Sequence, residues 1–269
     1  MMQLGYFKLS QMGLREHLAL IVFSTLFTAN IAFSNLSLAL VNVAFYQTMR
    51  MMCPIFTVSI FHVYYGRTYS TMTYLSLLPL MFGAAMTAAG EMKFSDAGFI
   101  LTLLGVVLAA VKTVVTNRLM TGSLAISPVE LLMRMSPLAA IQALACALTT
   151  GEISAFREAL AVSQMSPLSI FFSLAGNGVL AFLLNISSFH TNKLAGALTM
   201  AVCGNFKQCL TVMLGVLIFD VPVQLLNGAG MVITMLGAII YSNAELDSNT
   251  KKKPPQPPSY ELVDQNHPP

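Results

Sequence analysis

Long apolar segments alternate with short polar connections along most of the chain. Between residues 17 and 243, eight segments of about 20 residues carry few charged side chains. At a rise of about 1.5 Å per residue, a helix of that length crosses a bilayer hydrocarbon core about 30 Å thick. The segments lack the alternation of apolar and polar residues that barrel strands show. We therefore predict transmembrane helices over residues 17–40, 43–65, 71–90, 97–117, 128–148, 168–189, 194–219 and 222–242.

The composition supports a membrane protein of the all-α class. Hydrophobic residues make up 56% of the 269 residues and charged residues only 9%, whereas soluble domains are roughly one-quarter charged. We expect a cytosolic N-terminus over residues 1–16, a transmembrane domain over 17–243 and a polar tail over 244–269. The longest connection, residues 149–167, carries apolar residues at helical spacing, which predicts a short interfacial helix.

The basic residues between the spans indicate an orientation. If the N-terminus is cytosolic, eight of the 14 Lys and Arg residues lie on the cytosolic side of the membrane, and only Lys93 and Arg157 lie opposite. Cytosolic loops of membrane proteins carry an excess of Lys and Arg. We therefore expect both termini in the cytosol.

The C-terminal tail carries a candidate partner motif. Its Lys, Pro and Gln residues cannot bury enough apolar surface to form a core, so we expect residues 244–269 to be disordered. Pro257-Pro258-Ser259-Tyr260 has the form of a PPxY ligand for WW domains, whose grooves bind extended Pro-rich segments. The four residues from Tyr260 to Val263 also fit a tyrosine sorting signal. A WW-domain protein is therefore an expected partner.

Four basic side chains lie inside the predicted spans, at Arg50, Lys112, Arg134 and Lys207. A cation in hydrocarbon costs a few kcal/mol or more, so such a residue by default indicates a functional site. No Asp or Glu lies deep in the same spans to neutralise these charges. We therefore predict that an anion reaches them from outside the protein, as a substrate.

Lys207 is the strongest candidate for contact with that substrate. It lies about 13 residues from each end of its span, or roughly 20 Å along the helix axis, which its side chain cannot cover by snorkelling. Gly204 leaves room for a ligand, and Asn205 and Gln208 provide hydrogen-bonding groups. The alternative role is structural, with the Lys207 ammonium capping carbonyl groups of a neighbouring helix.

Arg50 lies about seven residues into the span 43–65, with Gln47 almost one turn before it and Pro54 one turn after it. Proline removes a backbone hydrogen bond, which predicts a kink or opening of the helix there. The planar guanidinium of arginine can hold a phosphate through two parallel hydrogen bonds. We therefore predict that Arg50 and Gln47 bind an anionic substrate.

Lys112, Arg134 and Asn185 are further candidates. Lys112 and Arg134 lie only about five or six residues from the proposed cytosolic ends of their spans, so snorkelling to the headgroups is an alternative for both. Glu130 lies four residues before Arg134 and offers a simple ion pair. The Asn185 amide could donate a neutral hydrogen bond to a substrate. We predict substrate contact for Lys112 and Asn185 and prefer the ion pair for Arg134.

Small residues and a weak internal similarity connect the spans 71–90 and 222–242. The segment from Gly83 to Glu91 resembles the segment from Gly237 to Glu245. Internal repeats, often inverted, are common in secondary transporters, whose substrate sites lie near the membrane midplane. Glycine and alanine permit close backbone contact between membrane helices, and we interpret these residues as packing positions.

Four ordered motifs run through the spans: Val43-Ala-Phe-Tyr-Gln-Thr-Met-Arg50-x3-Pro54, Lys112-Thr-Val-Val-Thr-Asn-Arg118, Pro128-Val-Glu-Leu-Leu and Gly196-Ala-Leu-Thr-x3-Cys-Gly-Asn-Phe-Lys207. Together they resemble the drug/metabolite transporter superfamily, in its branch of triose-phosphate and nucleotide-sugar translocators. The resemblance covers roughly residues 17–243. It implies ten helices in two inverted halves of five, around a cavity that exchanges one phosphorylated solute for another phosphate compound.

The resemblance also assigns roles to individual residues. The spans 43–65 and 194–219 would be the family's fourth and ninth helices, which line the cavity. Arg50 takes a place where relatives often carry lysine, and Lys207 matches a lysine that contacts substrate phosphate. Gln208 stands where plastid sugar-phosphate members have arginine, which favours a nucleotide sugar. The eight spans correspond to the family's third to tenth helices, so its first two are expected to be absent.

The expected function is exchange of a nucleotide sugar for a nucleoside monophosphate across a Golgi or endoplasmic-reticulum membrane. The alternatives are an antiporter of triose phosphates or other organic phosphates, and a truncated membrane protein that does not transport. No phosphate-binding loop, zinc motif or nucleophile motif supports an enzyme, so we expect no catalysis and no cofactor. The expected partners are the substrate and the bilayer; nucleic acid is not one, and a homodimer is left open.

Overall fold

A computed structural model describes residues 13–90, 95–122, 124–162, 166–219 and 224–252. Within these ranges the chain is helical and contains no strand, which confirms the expected all-α class. The helices are α1 (Leu14–Leu38), α2 (Val43–Arg50), α3 (Cys53–Tyr65), α4 (Thr71–Ala89), α5 (Asp96–Thr121), α6 (Pro128–Thr149), α7 (Glu152–Val162), α8 (Pro167–Phe219) and α9 (Leu225–Lys252).

Six of the described helices, α1, α4, α5, α6, α8 and α9, are long and apolar enough to cross a membrane. The protein is therefore a polytopic membrane protein. Helix α8 has 53 residues and is interrupted at Gly196, where φ is 89° and ψ is 165°. At about 1.5 Å per residue it is more than twice as long as a bilayer core is thick. Its two halves correspond to the predicted spans 168–189 and 194–219.

The predicted span 43–65 is divided into α2 and α3, and neither part is long enough to cross a membrane alone. The division comes directly before Pro54, which has no N–H group to donate to the carbonyl of Arg50. The N–H groups of Met51 and Met52 instead bond to carbonyls three residues back, each at 3.1 Å. The predicted helix break at Pro54 is thus confirmed, and it places the end of α2 inside the protein.

Helices α4 and α9 form the most extensive helix pair of the described residues. They approach so closely that a Cβ atom on Gly83 would collide with the backbone nitrogen of Thr234, and one on Gly230 with that of Thr87. A Cβ atom on Gly237 would lie 2.7 Å from the backbone nitrogen of Leu80. The interpretation of these glycines as packing positions is therefore confirmed.

Helix α5 occupies the centre of the bundle. It packs against α1, α2, α3 and α8, and its buried face combines small and β-branched residues such as Gly105, Val106 and Ala110. Helix α6 is held to α1 through hydrogen bonds from Ser24 and Thr28 to Gln142, at 3.2 and 3.0 Å. Because α5 contacts α2, α3 and α8, these four helices surround a common space.

The ends of the chain differ in part from the expectation. The predicted helix in the connection 149–167 is present as α7. Helix α9 continues to Lys252, so residues 244–252 of the expected disordered tail are helical. The WW-domain motif at 257–260 and residues 1–12 lie outside the described residues.

Candidate functional site

A polar cavity of about 240 Å³ lies where α2, α3, α5 and both halves of α8 meet. The sequence-predicted site residues all line it: Gln47 and Arg50 on α2, Lys112 on α5, and Asn185, Asn205, Lys207 and Gln208 on α8. The fold thus brings together residues that are up to 161 positions apart in the chain (Gln47 to Gln208). Substrate contact by these residues stays a prediction.

Helix α8 contributes to the cavity from both of its halves. Asn185 and Lys207 each lie about eleven residues from Gly196, so a straight helix would separate them by roughly 33 Å. Both nevertheless line the same cavity. The chain therefore turns at Gly196, where the positive φ of 89° favours glycine, which has no Cβ atom to strain the backbone.

Three cations share the cavity, and its lining contains no Asp or Glu among the described residues. Lys112 lies within electrostatic range of both Arg50 and Lys207. None of the three is ion-paired within the described part of the chain. Arg134, in contrast, lies outside the cavity, and its Nη2 atom is 2.8 Å from a carboxylate oxygen of Glu130, as the spacing predicted. Positive charge therefore accumulates in the cavity without a protein counter-charge.

Aromatic rings hold two of these cations in place. The Nη1 atom of Arg50 donates to Tyr46 Oη at 2.6 Å, and the guanidinium lies 5.4 Å from the centroid of the Tyr46 ring. The Nζ atom of Lys112 lies 4.8 Å from the centroid of Phe27. A ring face attracts a cation through its quadrupole and carries no net charge. The two cations are thus stabilised while their charge stays available.

Lys207 is exposed, while Asn205 and Gln208 beside it are buried. Its Nζ atom has no hydrogen-bond partner among the described residues, which speaks against the alternative role of capping a neighbouring helix. Lys207 therefore lines the cavity without being enclosed by the protein.

Three buried amide groups in the cavity lack a partner for one of their polar atoms. These atoms are the donor Nδ2 of Asn205 and the acceptors Oε1 of Gln208 and Oδ1 of Asn192. A buried polar atom without a hydrogen bond costs about 1–3 kcal/mol. A ligand that presents both acceptor and donor groups to the cavity would remove this cost.

The sequence reasoning missed Asn192, which lies between the predicted spans 168–189 and 194–219. The side-chain Nδ2 atom of Asn192 donates to the backbone carbonyl of Thr113 at 3.0 Å. The backbone carbonyl of Asn192 accepts from Asn117 Nδ2 at 2.8 Å. These bonds fix α8 to α5 at one end of the cavity. Cys53, Thr113 and Thr116 also line the cavity, but uncharged residues of this kind are common in membrane helices and do not stand out in a sequence.

Comparisons with known proteins agree with this geometry. The model of the Triose-phosphate Transporter family matches residues 1–242. A protein of Arabidopsis thaliana named "Probable sugar phosphate/phosphate translocator" is 32% identical over 231 residues, which cover 86% of this chain and 63% of that protein. From the same organism, "UDP-galactose transporter 1" and "GDP-mannose transporter GONST5" are each 30% identical over 220 residues, which cover 81% of this chain and 64% and 63% of the two relatives, respectively. The chain thus spans less than two-thirds of the length of these three relatives.

Proposed function

The chain belongs to the triose-phosphate transporter family, and from this premise we propose that it transports a phosphorylated sugar compound bound in the cavity between α2, α5 and α8. The observation that carries the proposal is the group of three cations, Arg50, Lys112 and Lys207, which line one cavity without a carboxylate among its described lining residues. A phosphate group would supply the missing negative charge. The guanidinium of Arg50 suits two-point contact with phosphate oxygens, and the two ammonium groups add charge.

The neutral groups of the cavity favour an organic phosphate over inorganic phosphate. Asn205 Nδ2 is a donor that suits a phosphate or sugar oxygen, whereas Gln208 Oε1 and Asn192 Oδ1 are acceptors that require a donor. A phosphate dianion has no donor to offer, but sugar hydroxyls and nucleobase N–H groups do. The cavity therefore matches a ligand that combines phosphate with hydroxyl or amide donors.

The same charges give a physical reason for exchange over one-way transport. An empty cavity holds three cations without a counter-charge. Reorienting the protein within the membrane in this state costs more free energy than reorienting it with a bound anion. A carrier of this type reorients readily only when loaded on each passage. We infer that the two halves of the protein move around the bound anion, as in other repeat-built transporters, and that the chain exchanges two phosphate compounds.

The exchanged pair that we propose is a nucleotide sugar and a nucleoside monophosphate, in a Golgi or endoplasmic-reticulum membrane with both termini in the cytosol. Two 30% identical relatives are named as transporters of UDP-galactose and GDP-mannose. Gln208 next to Lys207 supplies a neutral acceptor where a second cation would favour a small, highly charged sugar phosphate.

Exchange of a sugar phosphate for phosphate is the second candidate. A 32% identical relative is named as a probable sugar phosphate/phosphate translocator, so the family model covers both substrate classes. The three cations would serve this reaction equally well. The unpaired acceptors in the cavity do not separate the candidates, because a sugar phosphate also carries hydroxyl groups.

Counter-flow in proteoliposomes tests the proposal directly. Vesicles with the purified protein are preloaded with UMP, GMP or inorganic phosphate, and uptake of labelled UDP-sugars, GDP-sugars and triose phosphates is measured. We expect uptake of a nucleotide sugar at least about 10-fold above empty vesicles when the matching monophosphate is inside, because a loaded carrier returns more readily than an empty one. Uptake of triose phosphate against inorganic phosphate alone would select the second candidate. No exchange with any pair would indicate a non-transporting protein.

We also propose that the tail recruits a WW-domain protein through Pro257, Pro258 and Tyr260. A synthetic peptide of residues 253–269 should bind a WW domain of the PPxY-recognising type in fluorescence polarisation, and the same peptide with Tyr260→Ala should not. Equal binding of both peptides would refute the assignment.

A further inference from the structure

A second polar pocket, of about 180 Å³, lies beside the cavity. It lies near the C-terminal ends of α3 and α5, beside Glu245 of α9 and the turn of α8 at Gly196. The cavity and the pocket are neighbours along α5, because Thr116 lines the cavity while Asn117 and Arg118 line the pocket. The pocket therefore lies next to the cavity, toward the C-terminal end of α5.

Two arginines line the pocket, and each is held on aromatic rings. The guanidinium carbon of Arg118 lies 3.9 Å from the ring centroid of Tyr65, and that of Arg67 lies 5.4 Å from Tyr69. Both also lie within 6 Å of Phe61, at 5.9 and 5.8 Å. Neither is ion-paired with a carboxylate within the described residues. As in the cavity, the cations are fixed while their N–H groups stay available.

The start of the second half of α8 also lies at this pocket. The second half of α8 begins directly after Gly196, and its first residues, Ala197 and Leu198, line the pocket. The first N–H groups of a helix have no partner within it and attract anions, an effect that the helix dipole reinforces. The pocket thus combines two guanidinium groups with a helix start.

One carboxylate opposes this charge. Glu245 on α9 is buried and lines the pocket. Both Glu245 and Arg67 interact electrostatically with the hydroxyl group of Tyr69. Tyr69 itself lies in the connection between α3 and α4, and burial raises the pKa of its hydroxyl to about 12, so it carries no charge at neutral pH. Among the described residues that line the pocket, two side chains are basic and one, Glu245, is acidic, so a bound anion would lie close to the Glu245 carboxyl group.

We propose that this pocket binds a phosphate group, as an entry site separate from the central cavity. Arg67, Arg118 and the start of the second half of α8 would hold the phosphate, and the hydrogen-bonded pair of Asn117 and Asn192 would separate it from the cavity. Arg118 lies six residues, or about 9 Å, beyond Lys112 along α5, a short step for a diffusing phosphate. The proposal rests on the proposed function for the identity of the soluble ligand. Its phosphate chemistry would also fit a phosphoinositide headgroup.

The test measures phosphate binding with the cavity disabled. The full chain with Arg50→Gln and Lys207→Gln is purified in detergent, and its thermal unfolding is followed with increasing inorganic phosphate against chloride at equal ionic strength. A ligand that binds only the folded state raises the midpoint. We expect a phosphate-dependent rise in this background and its loss when Arg67→Gln and Arg118→Gln are added. Glu245→Gln should strengthen binding by about 3-fold or more, because it removes the opposing charge.

In a parallel arm, the thermal unfolding of the same variants is measured in nanodiscs with and without phosphatidylinositol 4-phosphate. A rise of the midpoint with inorganic phosphate assigns the site to a soluble phosphate, and a rise with the lipid assigns it to a lipid headgroup. If the double arginine variant does not fold, the Arg67→Gln and Arg118→Gln single variants are compared, and each should weaken the response. An unchanged response in the arginine variants, or no response in either arm, would overturn the proposal. Because the readout is binding with the cavity disabled, this result is independent of whether the protein exchanges nucleotide sugars.

Discussion

Replacing Lys207 with glutamine should reduce exchange by at least about 10-fold, because glutamine keeps much of the side-chain length but removes the charge that faces the ligand. A hydrogen bond to a charged group contributes about 1.5–3 kcal/mol, which corresponds to roughly 10- to 150-fold. Lys207 lines the cavity and has no protein partner for its ammonium within the described residues. Its whole interaction is therefore available to the substrate, and we expect this variant to lose more activity than any other single cavity variant.

The measurement is counter-flow in proteoliposomes with the best substrate pair of the wild-type protein. Arg157→Gln is the matched control, since it also removes one cation but lies on α7, exposed and away from the cavity. Lys207→Arg should restore part of the activity because it restores the charge. Both variants should elute like the wild-type protein in size-exclusion chromatography. Full exchange by a well-folded Lys207→Gln protein would remove Lys207 from the binding site.

The cavity could be predicted from the sequence because its cations carry a visible cost. A basic residue in an apolar span is rare and expensive, so Arg50 and Lys207 stand out without any knowledge of the fold. The break at Pro54 was equally visible, because proline cannot donate the hydrogen bond that a continuous helix needs. Residues that change the free energy of a membrane helix by several kcal/mol can thus be recognised in a single sequence.

Other parts of the site were hidden because they cost little in isolation. Tyr46 and Phe27 are ordinary residues of membrane helices, and only the fold shows that their rings hold Arg50 and Lys112. Asn192 fell between two predicted spans and therefore looked like part of a loop. The turn of α8 at Gly196 places it in the cavity wall.

Arg67 and Arg118 illustrate a different limit. From the sequence they only contributed to the orientation by the positive-inside rule. In the structure they share one pocket and rest on Phe61, Tyr65 and Tyr69. Arg50 and Lys112 of the cavity and both arginines of the pocket are held on uncharged ring faces, whereas Arg134 is paired with Glu130. A ring face leaves the charge of a cation available to a ligand, whereas a carboxylate cancels it, so the type of partner distinguishes the proposed binding cations from the ion-paired Arg134.

Replacing Gly83 or Gly230 with alanine should destabilise the protein strongly, although each substitution adds only one methyl group. A Cβ atom on Gly83 would meet the backbone nitrogen of Thr234 and the carbonyl oxygen of Gly230, and one on Gly230 would meet the corresponding atoms of Thr87 and Gly83. Backbone atoms cannot rotate away, so α4 and α9 would have to separate. Overpacking of this kind costs about 1–3 kcal/mol or more, and we expect the thermal midpoint to fall by at least about 5 °C.

Gly176→Ala provides a control of opposite sign, because a Cβ atom there has nothing within 4 Å and α8 is helical at this position. Alanine is a better helix former than glycine by about 1 kcal/mol, so this variant should be as stable as the wild type or more stable. The double variant of Gly83→Ala and Gly230→Ala gives a sharper test. The two methyl groups press on the same contact, so once the first has separated α4 from α9, the second should cost much less. Additive losses, or a Gly83→Ala protein as stable as the Gly176→Ala control, would mean that the two helices are not in direct backbone contact in the membrane.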